Sequence, residues 1–157
     1  MAQNYTGGRE LFIALMNKKA KDLGLTNSHF SNPVGLDSVD QYSTTKDLII
    51  ISKVAMNNPV FAKIVGTKEK LIKSVDGRFT HRLTNINRLL GEVDGVKGVK
   101  TGWTEIAREN LVTYIERDNR KIMIAVLGSQ DRFGETKELI DWIFTNYSWS
   151  KVDPYSP

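Results

Sequence analysis

Lys100-Thr101-Gly102 brings a cation, a hydroxyl and a residue without a side chain to the end of a predicted strand, Val96 to Thr101. On the open edge of a sheet, the ammonium and hydroxyl can hold a carboxylate. The glycine lets an extended peptide approach closely as an added strand. A basic surface strand running into a turn is the other reading, and for these three letters alone it is the stronger one. His29 falls in a predicted loop and His81 in a predicted strand; neither has a companion at ligand spacing, so no metal site is expected, and no cofactor. The absence of cysteine excludes disulfides, thiolate nucleophiles and thiolate metal sites, and is compatible with either redox compartment.

The elements that must position the tripeptide follow from periodicity. Arg9 to Leu23 places Leu11, Phe12, Leu15, Met16 and Ala20 along one side of a helix, with Gly24 as a left-handed C-cap. Thr26 to Tyr42 has no period and carries Asn32-Pro33, Gly35 and Asp37, which predicts an ordered surface loop. Thr44 and Asp47 form a capping pair for a helix from Thr45 to about Met56, and Asn58-Pro59 starts a short helix that Gly66 ends. The period then changes. Lys70 to Val75 and Arg78 to Leu83 flank Asp76-Gly77, a dipeptide suited to a two-residue hairpin turn. Asn110 to Glu116 and Lys121 to Leu127 are further strands around a tight Asp118-Asn119 turn. A last helix, Arg132 to Tyr147, should bury Phe133, Leu139, Ile140, Trp142 and Ile143, with Asp131 as N-cap. This order predicts an α+β fold: helices, then an antiparallel sheet, then a closing helix.

A chain of 157 residues, 40% hydrophobic and 25% charged, suits one domain, here residues 1–148 followed by a polar tail, 149–157. Its net charge of +4 is spread among acids, which reads as a solvated surface and not as a nucleic-acid interface. The longest apolar run, Leu48 to Ile51, falls far short of the ~20 residues that cross a bilayer, and Met1 to Gly8 lacks the pattern of a signal peptide.

The surroundings of the tripeptide alter its reading. The run from Val93 through Lys100-Thr101-Gly102 to Trp103-Thr104 resembles the third active-site motif of the serine-type D-alanyl-D-alanine carboxypeptidases, the low-molecular-mass penicillin-binding proteins of the peptidase S11 type. Other segments resemble the same family in the same order: Leu15 to Ala20, Leu23 to Phe30, Asn32-Pro33-Val34-Gly35-Leu36, Tyr42 to Leu48, Thr84-Asn85 with Arg88-Leu89-Leu90, and Val126-Leu127-Gly128. Together they span nearly everything from Leu11 to Tyr147. Several spaced motifs in one order are far more specific than any one of them.

The resemblance implies a partial β-lactamase/transpeptidase-like fold and an acyl-serine enzyme that removes the terminal D-alanine from peptidoglycan pentapeptides outside the cytoplasmic membrane, with β-lactams as trapping ligands. It assigns Lys100 a catalytic role as positive potential beside the nucleophile. It places Thr101 on the substrate carboxylate, with Gly102, Trp103 and Thr104 bordering the cleft. Arg82 falls where the family has an arginine on the strand before Thr84-Asn85, and Arg132 is matched to another near the last helix; ordinary surface charge is the alternative for both. The family's nucleophile and base come from Ser-x-x-Lys, where one helical turn brings the amine beside the hydroxyl, and its second motif is Ser-x-Asn. Both belong upstream of Met1. The chain contains no Ser-x-Asn, and its Ser-x-x-Lys matches are Ser43-Thr44-Thr45-Lys46, read as a helix cap, and Ser148-Trp149-Ser150-Lys151, read as chance. The expectation is therefore a fragment inactive by itself, its uncovered sheet prone to self-association. A β-lactamase-like fragment and a non-catalytic muropeptide-binding module are the rival readings.

One departure is expected to matter. The family usually follows Trp103-Thr104 with an acidic residue and Ala-Gly, whereas Ile106-Ala107-Arg108-Glu109 stands here. If the replaced glycine has positive φ, Arg108 strains or reshapes the cleft wall.

Overall fold

The computed structural model describes residues 1–150. After a short 3-10 turn at Ala2–Asn4 come α1 (Gly8–Asp22), α2 (Thr45–Met56), α3 (Pro59–Val65), β1 (Glu69–Lys73), β2 (Thr80–Thr84), β3 (Val96–Thr104), β4 (Arg108–Arg117), β5 (Arg120–Ser129) and α4 (Arg132–Asn146). The α+β order is the expected one. The strands, however, form two sheets, a β1-β2 ribbon and a β3-β4-β5 sheet, with antiparallel pairing throughout.

Local chemistry sets the boundaries. Gly24, at φ +71°, ends α1. Its N–H donates to the Lys21 carbonyl at 3.0 Å, and the Leu25 N–H donates to Ala20 at 2.9 Å, the double bond of a left-handed helix ending with buried Ala20 and Leu25 beneath it. Thr44 Oγ1 accepts from the Asp47 N–H at 3.2 Å, the Asn58 side chain from Val60 and Phe61, and the Asp131 carboxylate from Gly134, capping α2, α3 and α4.

The two hairpins turn differently. Asp118 (φ +51°) and Asn119 (φ +61°) are both left-handed between the paired Arg117 and Arg120, a two-residue turn whose twist matches the strands. In the β1-β2 ribbon only Gly77 has positive φ. The Ser74 carbonyl accepts from the Gly77 N–H at 2.9 Å, and Ser74 Oγ from the Phe79 N–H at 3.0 Å. The expected two-residue turn is thus replaced by a wider loop knitted by side chains. Asp76 accepts from the Ser74 hydroxyl and the Arg78 N–H, and these bonds hold its carboxyl below the usual carboxylate range.

The core lies between the three-stranded sheet and α4. Leu111, Thr113 and Ile115 alternate along β4 on the face toward α4 and are almost wholly buried. Leu89, Leu90, Val96, Ile124, Val126 and Ile140 complete the cluster. On α4 the buried line is Arg132, Thr136 and Ile140, spaced by four, with Phe133, Ile143 and Phe144 packed beside it. Leu139 and Trp142, expected inside, are exposed, because two polar residues carry the seam that reasoning from apolar letters displaced toward them. On α1, Leu11 and Leu15 are also exposed, and Ala20 is the buried residue of that helix.

The tail begins less freely than its composition suggests. Trp149 stacks near Phe144 at 5.5 Å between ring centres, and Arg120 lies 4.7 Å over its ring. The Ser148-to-Lys151 match and the rest of the tail run out of the described residues at Lys151.

Candidate functional site

Strand β3 pairs with β4 alone, so its other side is a sheet edge among the described residues. Lys100, Thr101, Gly102, Trp103 and Thr104 stand opposite Val112, Leu111, Asn110, Glu109 and Arg108. Two devices place them. A bulge falls between Val96 and Gly98, where β3 carries one residue more than β4. Gly98 sits there at φ +129°, where a Cβ would come within 2.9 Å of Val65, so α3 packs directly on the backbone. Beyond the bulge Lys100 is exposed, and its ammonium donates to the Thr101 carbonyl. Thr101 and Gly102 are half-buried, and Trp103 is 60% exposed.

Arg132 is not surface charge. It is 9% exposed, and its Nη1 donates to the Gly102 carbonyl at 2.7 Å. Its guanidinium lies 4.9 Å over the Phe133 ring, which Arg88 also approaches at 5.6 Å. The Arg132 backbone N–H donates to Glu109 at 3.0 Å. The first residue of α4 therefore anchors the glycine of the tripeptide from behind.

Arg82 stands apart, on the β1-β2 ribbon. It is exposed and donates through Nε and Nη2 to one Glu69 oxygen, at 3.2 and 2.6 Å. That pairing pushes its pKa still higher and occupies the group that the resemblance assigns to substrate. Asn85, at the base of the ribbon, donates to the Val65 and Thr67 carbonyls and accepts from the Asn87 N–H, tying the ribbon to the end of α3.

The turn after Thr104 holds the departure from the family pattern. Arg108 has φ +59°, so the position does demand a left-handed residue. Asn110 relieves the turn, donating to the Ala107 and Arg108 carbonyls at 3.2 and 3.0 Å while its Oδ1 accepts from Gly128 across the sheet at 3.1 Å. A shallow polar hollow of about 420 Å³ lies beside it, lined by Trp103, Arg108, Glu109, Gly128, Ser129 and Gln130. Arg108→Gly should remove the backbone strain, raising stability by about 0.5–1 kcal/mol in urea unfolding with little change in the slope. A loss of stability would show that the arginine side chain contributes more than the strain costs.

Two features escaped reasoning from the sequence. Asp37, in the loop before α2, accepts from the Thr104 hydroxyl at 2.6 Å and the Ile106 N–H at 3.3 Å. A 67-residue separation gives no local signal for that contact. Second, Ser43 Oγ lies 2.8 Å from Ser28 Oγ, which donates to buried Asp47 at 2.7 Å, and Asp47 also accepts from the Asn27 N–H. Ser43 is thus part of a helix-start network, while Lys46 is exposed, in keeping with the cap reading of Ser43-Thr44-Thr45-Lys46.

Known proteins agree with this architecture. Residues 1–131 match the family described as D-alanyl-D-alanine carboxypeptidase, peptidase S11. The chain is 35% identical over 151 residues to D-alanyl-D-alanine carboxypeptidase DacF of Bacillus subtilis, covering 94% of this chain and 38% of that protein. It is 35% identical over 146 residues to DacB2 of Mycobacterium tuberculosis, covering 88% and 50%. The chain thus spans half or less of these relatives. The crystal structure of the Streptomyces K15 DD-transpeptidase superposes with a TM-score of 0.86 at 32% identity, over 92% of this chain and 60% of that one. With the family matched across most of its length and its fold shared with solved DD-peptidases, the chain belongs to the D-alanyl-D-alanine carboxypeptidase family.

Proposed function

We propose that β3 is the substrate-binding wall of a peptidoglycan D-alanyl-D-alanine carboxypeptidase, taking the end of a pentapeptide stem as an added strand. The observation that carries this reading is the Lys100-Thr101-Gly102 tripeptide on a sheet edge that is open among the described residues, with its glycine carbonyl bonded by Arg132. Lys100 supplies a positive charge and Thr101 a hydroxyl for the terminal carboxylate. The strand edge supplies backbone N–H and carbonyl groups, and Trp103 and Thr104 border the entrance. Arg132 acts from behind the strand, and Arg82, paired with Glu69, contributes charge to the ribbon. A carboxypeptidase of this class works at the cell envelope, on the outer side of the membrane, and β-lactams occupy the same wall as mimics of the dipeptide.

Serine attack needs a base beside the hydroxyl. Ser43, the serine of the Ser-x-x-Lys match that lies wholly within the described residues, instead faces Ser28 in the network that ends on Asp47. These 157 residues alone are therefore expected neither to hydrolyse D-alanyl-D-alanine nor to be acylated. Intact-mass measurement after incubation with excess penicillin should show the unmodified mass. An adduct of one antibiotic mass, mapped to Ser43 by peptide digestion, would overturn this division of labour.

The chain alone also leaves apolar side chains in the open. Leu11 and Leu15 on α1, Val54, Val60 and Ile64 on α2 and α3, and Leu71 and Leu83 on the ribbon are all exposed. Copies of the chain should associate through these surfaces. Sedimentation should show a mass that rises with concentration; a monomer up to high concentration would contradict it.

A further inference from the structure

The loop between α1 and α2 is built to deliver one carboxylate. Asn32, nearly buried, accepts through its amide oxygen from the N–H groups of Val34, Gly35 and Leu36 at 3.2, 2.8 and 3.1 Å, and donates to the Leu36 carbonyl at 2.8 Å. Gln41 closes the loop from its other end, accepting from the Ser31 and Asn32 N–H groups and donating to the same Leu36 carbonyl at 2.8 Å. The loop up to Leu36 is thus held by side-chain amides. The next residue is Asp37. Its two oxygens take the Thr104 hydroxyl and the Ile106 N–H, and Thr104 Oγ1 in turn accepts from the Ala107 N–H at 3.2 Å.

These contacts fall where β3 most needs them. Thr104 is the last residue of an edge strand, and the turn beyond it carries the left-handed Arg108. An edge strand has no partner on one side to stop its end from fraying, and a ligand that adds as a strand must then order its receptor as well as itself. We propose that Asp37 is a positioning residue: its carboxylate clasps the end of β3, holding Gly102, Trp103 and Thr104 in the extended form that receives the peptide. This rests on the reading of β3 as the substrate-binding strand. Asp37 acts through Thr104 and the turn.

The test separates the clasp from the substrate reading. Hydrogen exchange of the ligand-free chain is measured at residues 102–107. Asp37→Ala should speed exchange there roughly tenfold and leave the β4-β5 turn unchanged. Thr104→Val should produce much of the same effect, and the double variant less than the sum of the two, because the bond between Asp37 and Thr104 is lost in both. Asp37→Asn, which keeps an acceptor for the Thr104 hydroxyl but sets an amide donor against the Ile106 N–H, should restore part of the protection. Affinity for an N-acylated peptide ending in D-alanyl-D-alanine is then measured on the same proteins, and it should fall roughly tenfold in Asp37→Ala and recover in part in Asp37→Asn. Unchanged exchange in Asp37→Ala would overturn the clasp. Faster exchange with unchanged affinity would overturn the positioning role. A wild-type chain that binds no such peptide would overturn both the substrate reading and the positioning role built on it, leaving the clasp as a structural contact judged by exchange alone.

Discussion

Ile140→Ala is expected to destabilise the chain by about 3–4 kcal/mol, a large share of the ~5–15 kcal/mol that holds a typical domain folded. Ile140 is fully buried as the apolar member of the α4 seam, against a cluster that includes Leu111, Ile115, Ile124 and Val126. The cost combines the lost transfer of the side chain from water with the cavity left behind, and a sheet pinned on both sides of β4 has little freedom to collapse into it. Leu139→Ala, one position away on the exposed side, should cost less than about 1 kcal/mol. Urea denaturation of the pair decides between this seam and the one drawn from apolar letters: equal losses would mean that α4 is rotated.

Arg132→Met should come next, at roughly 2–3 kcal/mol, and it should also reach the site. Methionine keeps much of the stem's volume and loses the charged bond to the Gly102 carbonyl at 2.7 Å. A half-buried carbonyl that loses a charged donor carries part of its desolvation cost, and the cation over Phe133 is lost with it. Because that carbonyl belongs to the tripeptide, the variant should bind an acylated D-alanyl-D-alanine peptide more weakly even at temperatures where it is fully folded. Full affinity in a destabilised protein would confine Arg132 to the core. Arg132→Lys should recover only part of the loss, since an ammonium has neither the reach nor the flat face of the guanidinium.

How much of the fold was legible depended on the range of each signal. Capping letters gave the starts of α2, α3 and α4 within a residue, because Thr44, Asn58 and Asp131 act on N–H groups two or three positions away. The Asp118-Asn119 turn was legible for the same reason. The β1-β2 turn was not, since Ser74 and Asp76 compete for the backbone with the simple two-residue form. The division into two sheets has no local signature, and neither does the α4 seam, where Arg132 and Thr136 are buried against the usual preference of their types. At the candidate site, the order of the motifs along the chain was enough for the family, and the strand carrying Lys100-Thr101-Gly102 was legible from its own pattern. The contacts of Arg132 and Arg82 were illegible, because a letter does not tell whether an arginine ends on a backbone carbonyl or on Glu69. The left-handed φ of Arg108 was foreseen only as a condition, and it holds.

If the Lys100-Thr101-Gly102 edge receives the peptide, an amide-resolved titration should locate it there. The chain, isotopically labelled, is titrated with an N-acylated peptide ending in D-alanyl-D-alanine, with the same peptide ending in L-alanyl-L-alanine as control. Shifts should concentrate at residues 100–104, present with the D-peptide, much weaker with the L-peptide and lost in Lys100→Ala. No response along β3, or a response centred on the aromatic hollow of Trp142, Tyr147 and Trp149, would contradict that placement.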